Sequence, residues 1–306
     1  MTILARAATG VIVQGITGTQ AAFCVRDLVA YGTRVLGGVV PGRGGAAHEG
    51  VPVFDFVEDA ARATGAEASL VFVPPSAASE AVAEAIEAGL RLVVYPGDGL
   101  PAKDAVRLRR LAHDRGAVLV GPNTAGLISP GQCKIGFMPS ACFSPGRLGV
   151  ISKSGSLSYE VASRLTASGI GQSTVVGVGG DPVKGLTIGE ALRHFEADPE
   201  TDAVLVLGEI GGVEELQAIA HVLAGGKPVV TFMVGRTAPE GRRLGHAGAL
   251  IGSPLEAYQP KLEALEAGGI PVARRLQDIV PLVTAALRQV VQSAPGPGTG
   301  AGEEIL

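Results

Sequence analysis

At 306 residues, 46% hydrophobic and 18% charged, the chain is long for one core, so two domains are expected. Its net charge of −4 gives no electrostatic case for nucleic acid. No run approaches the roughly 18 apolar residues of a spanning helix, and the N-terminal MTILARAATG lacks the apolar core of a signal peptide. Cys24, Cys133 and Cys142 cannot all pair with one another and lack metal-ligand spacing. The expectation is a soluble cytoplasmic protein with reduced thiols and no membrane contact. The 45 glycines, without a short repeat, suggest many strand-to-helix turns where backbone approaches a ligand.

The first apolar run, residues 11–13, reads as a buried strand. It leads into Gln14-Gly15-Ile16-Thr17-Gly18-Thr19-Gln20 and then a helix. A glycine-rich turn at a helix start presents free N–H groups and the positive end of the helix dipole, which suits an anion. The dinucleotide spacing G-x-G-x-x-G is absent. The next strand, residues 35–40, runs into Pro41-Gly42-Arg43, a cation where an NAD site carries an acid. Arginine suits a phosphate, so a nucleotide with an additional ribose phosphate, such as coenzyme A, fits. Further strands at 70–73, 92–94 and 118–120 alternate with helical spacing at 78–88 and 102–114, the pattern of a doubly wound parallel sheet.

Residues 121–146 are rich in Gly, Pro and Ser and read as an interdomain connection. A second series follows, with strands at 148–151, 174–176, 203–207, 229–232 and 271–273 and helices at 157–168, 187–197, 213–223 and 257–267. Its first strand ends in Ser152-Lys153-Ser154-Gly155-Ser156, whose three serines, glycine and lysine exceed what capping requires and can cradle a phosphate or carboxylate through N–H groups and hydroxyls. Another ends at Glu209, on the edge where parallel sheets hold ligands. A carboxylate there could hold one nitrogen of an imidazole and leave the other free to attack. Gly179-Gly180-Asp181-Pro182 is a further turn on that edge. His246 lies in Arg242-Arg243-Leu244-Gly245-His246-Ala247-Gly248. Imidazole is a good nucleophile near neutral pH, the glycines would let it move between two sites, and the arginines would favour an anionic group on it. The competing reading is an ordinary polar loop histidine. The Pro/Gly/Ser-rich tail from residue 293 predicts disorder.

Taken in order, the segments 15–20, 31–45, 121–126, 149–160, 177–182, 208–212 and 245–249 resemble the α subunit of the succinate–CoA ligases (succinyl-CoA synthetases), collinearly from residue 1 to about 287. The resemblance implies a Rossmann-like CoA-binding domain (1–121), a connection (122–146), a flavodoxin-like domain carrying a phosphorylated histidine (147–292) and the tail (293–306). His246 falls on that histidine and Glu209 on its acidic partner. Thr17, Gly18, Thr19, Gln20, Pro41, Arg43 (usually lysine), Pro96, Gly97 and Asp98 fall on CoA-contacting positions, the last three in place of Ile-Thr-Glu. Ser154, Gly155 and Ser156 begin the helix that receives the phosphate, and Tyr159 matches a substrate-side tyrosine.

The chain departs from the family at Asn123-Thr124-Ala125-Gly126, usually Asn-Cys-Pro-Gly, and at residues 183–188, which lack an Asn-Phe pair. Both segments are expected near the acyl site, with Asn123 and Thr124 as contacts, so malate, itaconate or citrate are alternatives to succinate. The implied reaction joins a dicarboxylate to coenzyme A at the expense of ATP or GTP, through a phosphohistidine. No Walker-type loop is evident, and no metal ligands are expected on this chain. The nucleotide and Mg²⁺ are therefore expected on a β subunit of ATP-grasp fold. A CoA-binding protein without turnover is the rival, against which Glu209, His246 and the serine-rich turn speak together; an NAD-dependent oxidoreductase is disfavoured by Arg43.

Overall fold

The computed structural model describes residues 3–239 and 245–293. In chain order the first half contains β1 (Gly10–Gln14), α1 (Thr19–Tyr31), β2 (Arg34–Val39), β3 (Ala47–His48), β4 (Val51–Phe54), α2 (Val57–Thr64), β5 (Ala68–Val71), α3 (Pro75–Glu87), β6 (Leu92–Val94), α4 (Ala102–Asp114) and β7 (Val118–Val120). These strands form one sheet in the order β3-β4-β2-β1-β5-β6-β7. Every pair is parallel except the short β3 against β4. Without β3 the order is that of a Rossmann sheet, which reverses direction between β1 and β5 and opens its ligand crevice there. All five residues of β1 and all four of β5 are buried, because helices cover both faces and no polar side of the strand is needed.

The second half contains β8 (Gly126–Ser129), β9 (Cys133–Gly136), β10 (Pro145–Ser152), α5 (Gly155–Ala167), β11 (Gln172–Gly177), α6 (Ile188–Glu196), β12 (Ala203–Glu209), α7 (Gln217–Leu223), β13 (Val229–Val234), α8 (Tyr258–Ala267), β14 (Val272–Ala273) and α9 (Leu276–Ser293). Its sheet order is β14-β13-β12-β10-β11-β8-β9. From β10 to β14 the strands are parallel and in flavodoxin-like order, with the switch point between β10 and β12.

Residues 122–146, expected to be a connection, instead contribute the β8–β9 hairpin, antiparallel to β11. The glycines that suggest a loop serve close backbone packing. A Cβ on Gly126 would stand 2.0 Å from the Ile135 carbonyl oxygen. Both strands of the hairpin are wholly buried, and the hairpin joins the two halves. Thr33 Oγ1 donates to the Lys134 carbonyl at 2.8 Å, and the buried Lys134 ammonium pairs with Asp27 of α1.

Two helices also depart from the sequence pattern. Residues 213–223 are a 3₁₀ turn (Glu214–Leu216) followed by the short α7. α9, which the periodicity reading passes over, packs Ile279, Val283 and Ala286 into the core beneath β12 and β13, despite Pro281 in its interior. Arg242, Arg243 and the tail from residue 294 lie outside the described residues. Among the described residues no helix is long and apolar enough to cross a membrane.

Candidate functional site

Two constellations stand at the two switch points. At the first, the turn after β1 is pressed against the end of β5. Gly15 has φ +71°, and a Cβ there would meet the Phe72 carbonyl oxygen at 2.1 Å, so only glycine fits. α1 begins at Gly18 without a side-chain cap, and the Thr19, Gln20 and Ala21 N–H groups have no acceptor among the described residues. These donors at the positive end of a 13-residue helix face a cavity of about 590 Å³. Gly18, Thr19 and Gln20 line it on the α1 side, Pro96, Gly97 and Asp98 on the β6 side, and Asn123 also borders it. Thr17, Pro41 and Arg43 do not line the cavity. Pro41 and Arg43 are exposed beyond β2, beside β1, and the Arg43 guanidinium has no partner among the described residues.

At the second switch point, Ser154 caps α5 by accepting from the Leu157 N–H at 3.4 Å. Ser152 Oγ accepts from the Ser154 N–H and donates to its carbonyl, which fixes the turn. The Gly155 and Ser156 N–H groups have no acceptor among the described residues, so the helix start can take an anion. A Cβ on Gly155 would stand 3.0 Å from Ala125 Cβ and 3.3 Å from the Tyr159 hydroxyl, so Ala125, Gly155 and Tyr159 form one wall. Thr124, expected to contact substrate, gives its hydroxyl to the backbone instead, donating to Gly177 O and accepting from the Gly126 N–H.

β12 carries Glu209 to the same edge. His246 Nδ1 lies 2.8 Å from Glu209 Oε2. A carboxylate only accepts, so Nδ1 holds the proton and Nε2 keeps its lone pair. The Glu209 hydrogen bond raises the His246 pKa above its ordinary value, against burial, and Asp181 adds to the rise. The ring lies on Gly180, where a Cβ would stand 2.4 Å from His246 Cγ, and the Gly248 N–H donates to Gly180 O at 2.8 Å. Asn123 Nδ2 donates to Asp181 Oδ1 at 3.0 Å, so a residue bordering the first cavity touches the turn that supports the histidine.

Beneath Glu209 is an ion cluster that sequence reasoning misses. Glu215 is fully buried and pairs with Lys153 at 2.7 Å and Lys261 at 2.9 Å. Burial opposes its charge, yet the two ammonium groups hold the carboxyl below the usual range. Glu215 Oε1 accepts from the Glu209 N–H at 3.2 Å, and Lys261 Nζ donates to the Glu209 carbonyl at 2.8 Å. The cluster thus grips the backbone of the residue that orients His246. Burial pushes the Cys24 and Cys133 thiols to about 12 and about 11, leaving no useful thiolate near neutral pH. Among the described residues no three His, Cys, Asp or Glu side chains gather as a metal site.

Residues 6–96 match the family described as CoA binding domain and residues 151–270 that described as CoA-ligase. Among curated relatives, a succinate–CoA ligase [ADP-forming] subunit alpha 1 of Archaeoglobus fulgidus is 48% identical, covering 91% of this chain and 96% of its own length. A malate–CoA ligase subunit alpha of Methylorubrum extorquens is also 48% identical, covering 89% and 94%. Among solved structures, ATP citrate lyase from Methanothrix soehngenii superposes with a TM-score of 0.87 at 23% identity. That likeness concerns the fold alone; it covers 97% of this chain, which spans about half (53%) of that one.

Proposed function

The chain belongs to the family of succinate–CoA ligase α subunits, and we propose that it works with an ATP-grasp β subunit in the cytoplasm, with His246 carrying phosphate between the two. The observation that carries this reading is the 2.8 Å bond from Glu209 to His246 Nδ1, which leaves Nε2 free. Nε2 attacks the γ-phosphorus of ATP or GTP held with Mg²⁺ on the β subunit; the N–P bond forms and the bond to the nucleoside diphosphate breaks. The ring becomes cationic with Nδ1–H retained, and Glu209 stabilises that charge. A dicarboxylate oxygen then takes the phosphoryl group from Nε2. The coenzyme A thiol attacks the acyl carbon, and the departing phosphate leaves with the thiol proton. Gly155 and Ser156 offer unpaired N–H groups to the phosphoryl oxygens, the electrostatic support that an anionic transition state needs.

The first cavity suits coenzyme A. The α1 donors take its pyrophosphate, Arg43 takes a ribose phosphate from outside, and the crevice between β1 and β6 takes the remainder. Succinate is the acid we assign. Malate is the second reading, favoured by the equally similar malate–CoA ligase subunit and by Ala125, whose methyl replaces a proline ring beside Gly155 and Tyr159. Thr124 enters the acyl site through its backbone placement, not through its hydroxyl.

The test is to combine the chain with its β partner and supply nucleotide, coenzyme A and succinate, malate, itaconate or citrate in parallel. Succinyl-CoA should form fastest, with one nucleoside diphosphate per thioester, and the chain alone should form none. Faster thioester formation with another acid would overturn the assignment of succinate. No thioester from any acid would overturn the ligase reading.

A further inference from the structure

Besides the α1 donors, the lining of the first cavity includes Tyr95, whose polar group the fold leaves unused. Tyr95 follows β6 and is 1% exposed, yet its hydroxyl has no hydrogen-bond partner among the described residues. Burying an unpaired hydroxyl is unfavourable, so a group that accepts its proton removes that penalty. Gly97 packs directly against the hydroxyl, since a Cβ there would stand 2.5 Å from the Tyr95 oxygen. Burial, with Asp98 and Asp181 nearby, raises the phenol pKa, so the group is a protonated donor at neutral pH.

The crevice gives this donor a position along the ligand. Anion donors stand at the start of α1, and Arg43 lies on the β2 side of β1, so the phosphates belong at that end. Tyr95 lies on the opposite side, beyond β5, where β6 pairs. Asn123 borders the cavity at this end and bonds Asp181, whose neighbour Gly180 carries the His246 ring. A ligand running from the phosphate end toward the histidine therefore brings its thiol arm to Tyr95.

We propose that Tyr95 is a binding residue for the thiol arm of coenzyme A, its hydroxyl donating to a carbonyl oxygen of that arm. The inference rests on the coenzyme A reading above and adds a donor that the family resemblance does not supply. Bond formation removes the unpaired hydroxyl, so occupancy of the cavity and satisfaction of Tyr95 are coupled.

Two ligands and two variants of the full chain test it by calorimetric titration. Tyr95→Phe should weaken coenzyme A binding by about fivefold, the effect of losing one uncharged hydrogen bond. It should leave adenosine 3′,5′-bisphosphate, which lacks the thiol arm, unchanged. Without ligand the variant should melt no lower than wild type, since it removes an unsatisfied group. Gly97→Ala, whose methyl would press on the hydroxyl, should weaken coenzyme A in the same selective way. Equal coenzyme A affinity in wild type and Tyr95→Phe would overturn the proposal. So would equal weakening of both ligands, or a lowered melting temperature with unchanged affinity. If wild type binds neither ligand, the coenzyme A reading itself fails, a result distinct from these.

Discussion

His246→Asn should abolish turnover, lowering kcat of the complex with its β subunit by about 10⁴-fold or more, because a covalent route without its nucleophile is closed. Asparagine can still reach Glu209 with a hydrogen bond, so the loss reports chemistry more than packing. Glu209→Gln is the companion variant, expected to lower kcat by about 10²- to 10⁴-fold. The amide can present its NH₂ to Nδ1 and favour the wrong tautomer, and it cannot neutralise the cationic phosphorylated ring. The two variants also differ in pH dependence. Only neutral imidazole attacks, and Glu209 raises the His246 pKa, so wild-type phosphorylation should climb with pH through that raised value. In Glu209→Gln the climb should move to lower pH, toward the ordinary imidazole value of about 6.5, while the plateau falls. The stability linkage has the same origin. A histidine pKa raised on folding stabilises the protein below the unfolded pKa, and this contribution disappears as pH rises through the folded one. A pH–rate profile for single-turnover phosphorylation measures the first effect; an unshifted limb in Glu209→Gln would contradict the role given to the carboxylate.

The second large effect falls on stability. Glu215→Gln should destabilise the chain by roughly 3–5 kcal/mol, since it leaves the buried Lys153 and Lys261 ammonium groups without their shared carboxylate. Lys261→Met should cost less, because Glu215 keeps Lys153 as its partner at 2.7 Å. The order of the two variants distinguishes a shared anion from two independent contacts. Both changes loosen the backbone of Glu209, which gives its N–H to Glu215 and its carbonyl to Lys261. Denaturant unfolding of each variant measures the cost, and a Lys261→Met chain less stable than Glu215→Gln would contradict this account.

Much of the frame was legible in the sequence because buried parallel strands appear as short apolar runs whatever their partners. Residues 92–94 and 118–120 are strands over those same limits. Glu209 was legible as a site residue for a related reason: a strand in a parallel sheet delivers its last residue to the ligand edge. The bond to His246 spans 37 positions of chain, and the sequence offered for it only two suitable residue types on one edge. The β8–β9 hairpin was hidden because its glycines look like loop punctuation, whereas they permit strand backbones to approach one another. Glu215 and Lys261 were hidden because charged residues in a sequence look solvated, while Lys153, read as part of an anion-cradling turn, pairs with Glu215. Only the fold brings Lys261 within 2.9 Å of a residue 46 positions away. Thr124 shows the limit from the other side: its position was legible, but not the two backbone groups that engage its hydroxyl. Tyr95 looks like one more apolar residue after a strand until the partner count of its hydroxyl is known.

The most direct test of the central claim is phosphate transfer to this chain. The wild-type complex, given γ-labelled ATP or GTP without coenzyme A, should carry acid-labile, base-stable label on this chain, and the label should leave when dicarboxylate and coenzyme A are added. The same complex with His246→Asn should carry none. Label on His246→Asn equal to wild type would contradict the phosphohistidine mechanism.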